Sequence, residues 1–109
     1  MKNLYTSDAK LTEIVKKLTD RFKPKKVYLF GSRAKGTERP NSDYDLFLIV
    51  EKSDLPMARR MAEAEKTLWG LWSPIDVFIY TEEEFEEWKN ELNTVANTVF
   101  SEGRELPIG

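Results

Sequence analysis

The chain reads as an α/β or α+β domain, a small sheet with helices packed on it. Three observations predict this. Apolar residues recur at spacings of three and four in several stretches, the period of a helix with one buried face. Between those stretches lie three short apolar runs bounded by Gly, Pro, Ser or Asp, the pattern of buried strands. The two patterns interleave as helix, strand, strand, helix, strand, helix, with a further helix at the end. Patterning leaves the order of the strands in the sheet open.

Asp8 to Phe22 is the first helix, with Leu11, Ile14, Val15, Leu18 and Phe22 on one stripe. Thr6 and Ser7 are the candidate caps, and Pro24 ends the helix by pushing Lys23 out of helical geometry. Val27 to Phe30 is a short buried strand, broken by Gly31-Ser32. Arg33 to Lys35 forms one helical turn closed by Gly36, and Thr37 to Ser42, with Pro40 and Asn41, is a loop. Asp43 to Glu51 is the second strand. Strand alternation puts Asp43, Asp45, Phe47 and Ile49 on one face and Tyr44, Leu46, Leu48 and Val50 on the other. Both faces are apolar beyond Asp45, which predicts a central strand.

Ser53 or Asp54 is expected to cap the next helix, with Pro56 near its first turn and Met57, Met61, Ala64 and Leu68 as its buried stripe. Gly70 stops it. Ser73-Pro74 leads into a third strand, Ile75 to Tyr80, in which Asp76, Phe78 and Tyr80 alternate with Ile75, Val77 and Ile79. Thr81 and Glu84 form a capping box, which by itself accounts for the Glu82–Glu84 run. Phe85, Trp88, Leu92, Val95 and Val99 continue the apolar stripe, Asn90 to Thr94 divides it into two helices, and Gly103 closes the last. Core packing is the expected use of Trp69, Trp72 and Trp88, with a place at an interface as the alternative.

Composition narrows the chemistry. A length of 109 residues suits one small domain, here residues 1–109. No apolar run approaches the ~20 residues of a membrane span, and Met1-Lys2-Asn3-Leu4-Tyr5 lacks a signal-type apolar region, so a cytoplasmic location is expected. The chain has no Cys and no His, which removes disulfides, thiolate sites and imidazole chemistry. A metal here must take oxygen ligands, which favours magnesium, manganese or calcium. Residues 1–40 carry 11 Lys/Arg against 4 Asp/Glu, whereas residues 41–109 carry 6 against 15. Most of these charges read as solvated helix faces. The short Lys23–Lys26 edge, without interleaved aromatics, argues against a nucleic-acid surface.

The pattern that carries chemistry is Gly31-Ser32, ten residues, then Asp43-Tyr44-Asp45. Two carboxylates at i and i+2 on a strand project to one side and repel, a cost that a divalent cation relieves. Asp76 opens another apolar strand and is the natural third ligand, if the two strands are neighbours. Gly31 permits close approach of a phosphate, and the Ser32 hydroxyl with nearby N–H groups can hold its oxygens. Arg33 and Lys35 add positive charge. Ser42 reads equally well as a turn cap or a nucleotide contact, and Arg39 as an exposed loop charge. The mechanism implied is in-line attack on the α-phosphate of a nucleoside triphosphate, with two metals clamping attacking and leaving oxygens.

The run Leu29-Phe30-Gly31-Ser32-Arg33-Ala34-Lys35-Gly36, ending in Ser42-Asp43-Tyr44-Asp45-Leu46, resembles the G-S-x10-D-x-D signature of the minimal nucleotidyltransferases. These belong to the DNA polymerase β-like nucleotidyltransferase superfamily. The likeness implies a polymerase-β-like palm, a mixed sheet flanked by helices. It implies Asp43, Asp45 and Asp76 as catalytic metal ligands for magnesium, and Gly31 and Ser32 as contacts to the ATP triphosphate, with Arg33 close by. In many such families, including MntA-type antitoxins, the stand-alone domain is the antitoxin of a pair whose toxin is a HEPN-domain ribonuclease, and it moves AMP from ATP onto a tyrosine hydroxyl of that toxin. Because little chain follows the last helix, acceptor recognition is expected to involve a partner protein or a second copy. Two rivals stand beside this reading: a silent nucleotide-binding module that neutralises a partner by contact, and a transferase acting on a small-molecule acceptor.

Overall fold

The computed structural model describes residues 8–37, 39 and 42–108. Met1–Tyr5, the proposed caps Thr6 and Ser7, the loop residues Pro40 and Asn41, and Gly109 lie outside these. The elements run α1 (Ala9–Phe22), β1 (Lys26–Phe30), α2 (Ser32–Lys35), β2 (Tyr44–Val50), α3 (Met57–Thr67), β3 (Ile75–Thr81), α4 (Glu82–Trp88), α5 (Val95–Glu102) and β4 (Arg104–Leu106). The sheet order is β3-β2-β1-β4. β2 pairs antiparallel with β1 and parallel with β3, so the sheet is mixed and β2 is central, as its two apolar faces predict.

The alternation along β2 separates two cores. Tyr44, Leu46, Leu48 and Val50 pack with Val27, Leu29, Val77 and Ile79 beneath α1 and α3. Phe47 and Ile49 pack on the opposite face with Phe85 of α4 and with Ala96 and Val99 of α5. The α1 stripe is buried as expected at Leu11, Ile14, Val15 and Leu18. Asp8 supplies its cap, accepting the Leu11 N–H at 3.0 Å. Lys23 takes a left-handed conformation (φ 48°, ψ 55°) before Pro24 and ends the helix. The Thr81/Glu84 capping box on α4 is complete in both directions.

Several expectations fail for identifiable reasons. Neither Ser53 nor Asp54 caps α3; Ser53 Oγ instead accepts the Leu55 N–H, and Pro56 takes the cap position. Gly103 does end α5, but in an extended rather than left-handed conformation, because the chain must enter β4 there. Glycine is needed because a Cβ would stand 2.6 Å from the Val99 carbonyl oxygen. β4 itself pairs with β1 through three residues. Only Leu106 of the three is buried, too short a signal for alternation. Trp69 and Trp72 are 88% and 93% exposed and Trp88 is 43% exposed, rather than core, and Leu92 lies outside both helices in solvent. Trp69 and Trp72 fall in the connection after α3 and Leu92 in the one between α4 and α5, where no helix turns them inward.

One buried cation was not anticipated. Arg60, at a core-facing position of α3, is 5% exposed. Its guanidinium donates to the carbonyls of Leu55 and Ile79, each at 2.9 Å, and to both carboxylate oxygens of Glu84, at 2.7 and 3.0 Å. It therefore ties α3 to β3 and to the start of α4, with its donors largely satisfied. The hydrogen bonds from Arg60, together with the Thr81 N–H, hold the Glu84 carboxyl down to about 2.

A carboxyl held below its unfolded value stabilises the fold above that value, and the contribution disappears as pH falls through the folded value. Wild-type stability should therefore decline between about pH 5 and pH 2 through this pair. Glu84→Gln, which keeps an oxygen for the Thr81 N–H, should lower stability at pH 7 by about 2 kcal/mol and flatten that slope in urea titrations. An unchanged slope would show that the pair does not contribute.

Candidate active site

Strand pairing places the carboxylates. Asp45 on β2 is the register partner of Asp76 on β3 and of Phe30, the last residue of β1. Parallel partners in register project side by side, and Asp43 lies two residues before Asp45 on the same face. One carboxylate oxygen from each of Asp43, Asp45 and Asp76 therefore lies within 4.8 Å of the others. The condition attached to Asp76 in the sequence, that its strand neighbour β2, is met.

Gly31 packs directly against this cluster. It has φ +76°, a conformation that favours glycine, and a Cβ placed on it would collide with Asp45 Oδ2. The glycine thus serves the carboxylate as well as any phosphate. Ser32 follows as the first residue of α2, half-buried, with Gly36 in left-handed geometry closing the turn.

Two side chains assigned to the nucleotide also hold the loop. Arg33 donates Nε and Nη2 to the Ser42 carbonyl at 3.2 and 3.0 Å. Its guanidinium carbon lies 3.9 Å from the centre of the Tyr44 ring, a cation–π stack. Ser42 Oγ accepts the Arg39 N–H at 2.7 Å, the turn-capping arrangement. Tyr44 reaches back to donate its hydroxyl to the Asp8 carboxylate. Asp8 and Tyr44 were missed as supports of the site. The only local signal for them was a Tyr between two aspartates, whose ring alternation sends to the opposite face.

The electrostatics favour a cation. Burial first, then the charges of Asp76 and Asp43, push the Asp45 carboxyl above its ordinary value. Asp43 and Asp76 are exposed, so the cluster opens to solvent on one side. Three convergent carboxylates form an oxygen donor set that suits magnesium or manganese. Such an ion would be held by Asp43, Asp45 and Asp76.

A raised carboxyl destabilises the fold once pH passes its unfolded value, since ionisation is then disfavoured in the folded state. Asp45→Asn should therefore raise Tm in metal-free buffer at pH 7 by a few degrees. Magnesium or manganese should raise the wild-type Tm at pH 7 and have no such effect on Asp45→Asn. Gly31→Ala should lower stability by about 1–3 kcal/mol through strain and collision, as read by thermal unfolding. A neutral outcome would contradict the packing against Asp45.

No curated protein sequence matches the chain. Among solved structures, one described as a toxin–antitoxin with AMP-PNP superposes with a TM-score of 0.61 at 28% identity, covering 86% of this chain and 69% of the other. A mutant of the toxin–antitoxin MntA–HpeT gives 0.62 at 25% identity, covering 91% and 72%. A Sulfolobus solfataricus protein provisionally described as a nucleotidyltransferase gives 0.57 at 26%, covering 72% and 70%. The model of the nucleotidyltransferase domain family matches residues 11–106, and with nearly the whole chain spanned, this protein belongs to that family.

Proposed function

We propose that residues 1–109 form one domain that transfers AMP from ATP to a tyrosine hydroxyl of a partner HEPN-domain toxin, acting as its antitoxin in the cytoplasm. The observation that carries the transfer reading is the meeting of Asp43, Asp45 and Asp76 beside Gly31. In this reading the three aspartates hold divalent magnesium, two ions in the full complex. When bound, the metal supplies positive charge against the phosphate oxygens at which negative charge develops.

The chain's own groups do the rest. Gly31 and Ser32 receive the triphosphate through backbone N–H groups and the Ser32 hydroxyl. Arg33 and Ser42 border the nucleotide and keep the β1–β2 loop folded beside it. Asp76, at the outer side of the cluster, holds the incoming hydroxyl. The antitoxin role is supported by the two toxin–antitoxin structures to which the chain is similar, one of them with AMP-PNP, an analogue of ATP.

The test is incubation with α-labelled ATP, magnesium and the protein encoded by the neighbouring gene. Label is expected on a tyrosine of that protein, and Asp43→Asn or Asp45→Asn should reduce it by about 100-fold or more. Chelation of the metal should abolish it. Full neutralisation of the partner by Asp43→Asn would overturn transfer in favour of contact alone. Label found only on small molecules would replace the protein acceptor.

A further inference from the structure

β3 is the edge strand of the sheet, and a cavity of about 330 Å³ runs along its free side. It is bounded by Met61 of α3, by Leu68, Trp69 and Leu71 of the α3–β3 connection, and by Phe78 and Asp76 of β3. Asp76 lines this cavity and also belongs to the carboxylate cluster, so the cavity meets the proposed reaction centre at that residue. We propose that it is the acceptor site, and that its occupant is the phenol ring of a tyrosine carried by a partner protein. This rests on the nucleotidyl-transfer reading and adds which surface of the chain takes the acceptor.

Three features argue for it. The first is position. Across the sheet, Gly31-Ser32 follows β1, Asp43 immediately precedes β2, Asp45 belongs to β2, and Asp76 to β3. In-line displacement puts attacking and leaving oxygens on opposite sides of the phosphorus. If pyrophosphate leaves on the Gly31-Ser32 side, the hydroxyl enters from the β3 side, where the cavity lies. The hydroxyl oxygen then bonds to the α-phosphorus and the bond to the β-phosphate oxygen breaks. The hydroxyl proton leaves to solvent through the open mouth.

The second feature is chemistry. The lining joins the aliphatic and aromatic side chains of Met61, Leu68, Trp69 and Phe78 to the carboxylates of Asp76 and Glu65. That combination fits a ring with a hydroxyl at its tip. Glu65 joins Asp76 on the lining and no Lys or Arg does, which disfavours a phosphorylated sugar or nucleic-acid end. The third is exposure. Trp69 and Trp72 stand almost wholly in solvent on the loop that walls the cavity. Exposed indoles beside a pocket are what a protein interface buries as its anchors, and they extend well past the footprint of one ring.

The experiment uses the intact chain, labelled with nitrogen-15, saturated with magnesium and a non-hydrolysable ATP analogue, and titrated with N-acetyl-tyrosinamide. Saturable shifts are expected at the Trp69 indole and at the amides of Val77 and Phe78, with low-millimolar affinity. Trp69→Ala, which alters an exposed side chain, should weaken binding by about tenfold or more. Trp88→Ala should leave it unchanged. N-acetyl-serinamide should bind far more weakly. Equal binding of serinamide, shifts confined to α4 and α5, or no saturable shift would each overturn the assignment. So would movement of the Trp69 indole by nucleotide alone, which would give the cavity to the base. Absence of nucleotide shifts at Gly31–Lys35, with the tyrosinamide shifts intact, would overturn the transfer reading alone.

Discussion

The parallel pairing of β2 with β3, in the register that sets Asp45 beside Asp76, is the constraint on which the rest of the structure depends. Parallel neighbours cannot be joined by a tight turn, so the chain must leave β2, cross the sheet and return. α3 is that crossing, and its Ala64, with Leu68 just past its end, closes the core above β2 and β3. A slip of one residue would send Asp76 to the opposite face and Val77 into the cluster. The site therefore exists only in one register, and the apolar residues Val77 and Ile79 enforce it by their burial.

The same register brings like charges together, an arrangement unfavourable for folding alone. The fold offsets this with interactions elsewhere. Arg60 and Glu84 clamp α3, β3 and α4 through charge-assisted hydrogen bonds. On the other side of the site, a chain of contacts runs from Asp8 to the Tyr44 hydroxyl, from the Tyr44 ring to Arg33, and from Arg33 to the Ser42 carbonyl. It joins α1, β2 and α2 and fixes the end of the loop from which Asp43 projects. Repulsion among carboxylates is tolerated in this way where a cation and a nucleotide can relieve it, a common form of the trade between stability and function.

The two faces of the sheet differ in what they leave exposed. Beneath α1 and α3 the strands are buried, whereas the free edge of β3, between α3 and a loop with two solvent-facing indoles, borders a cavity. A nucleotide-transfer domain needs such an asymmetry. In the transfer proposed above, the triphosphate would lie at one side of the carboxylates and the acceptor would reach them from the other.

Much of this was readable from local pattern. The two-residue period put Asp43 and Asp45 on one face, the three-and-four spacing marked the α1 core stripe, and Thr81 with Glu84 declared a capping box. Gly31-Ser32 and the aspartates also carried the family resemblance, because motif chemistry depends on residues close in sequence. Other features depend on contacts between distant segments, which no local period encodes. The pairing of β2 with β3, the three-residue β4, the inward turn of Arg60 toward Glu84 and the outward position of Trp69 and Trp72 are of this kind. Arg60 sits at a stripe position that looks unfit for a core until Glu84 and two carbonyls are brought around it. The tryptophans look fit for a core until the loop that carries them ends at the sheet's open edge. Side-chain identity and spacing determined which residues could do chemistry here; strand register decided which of them meet.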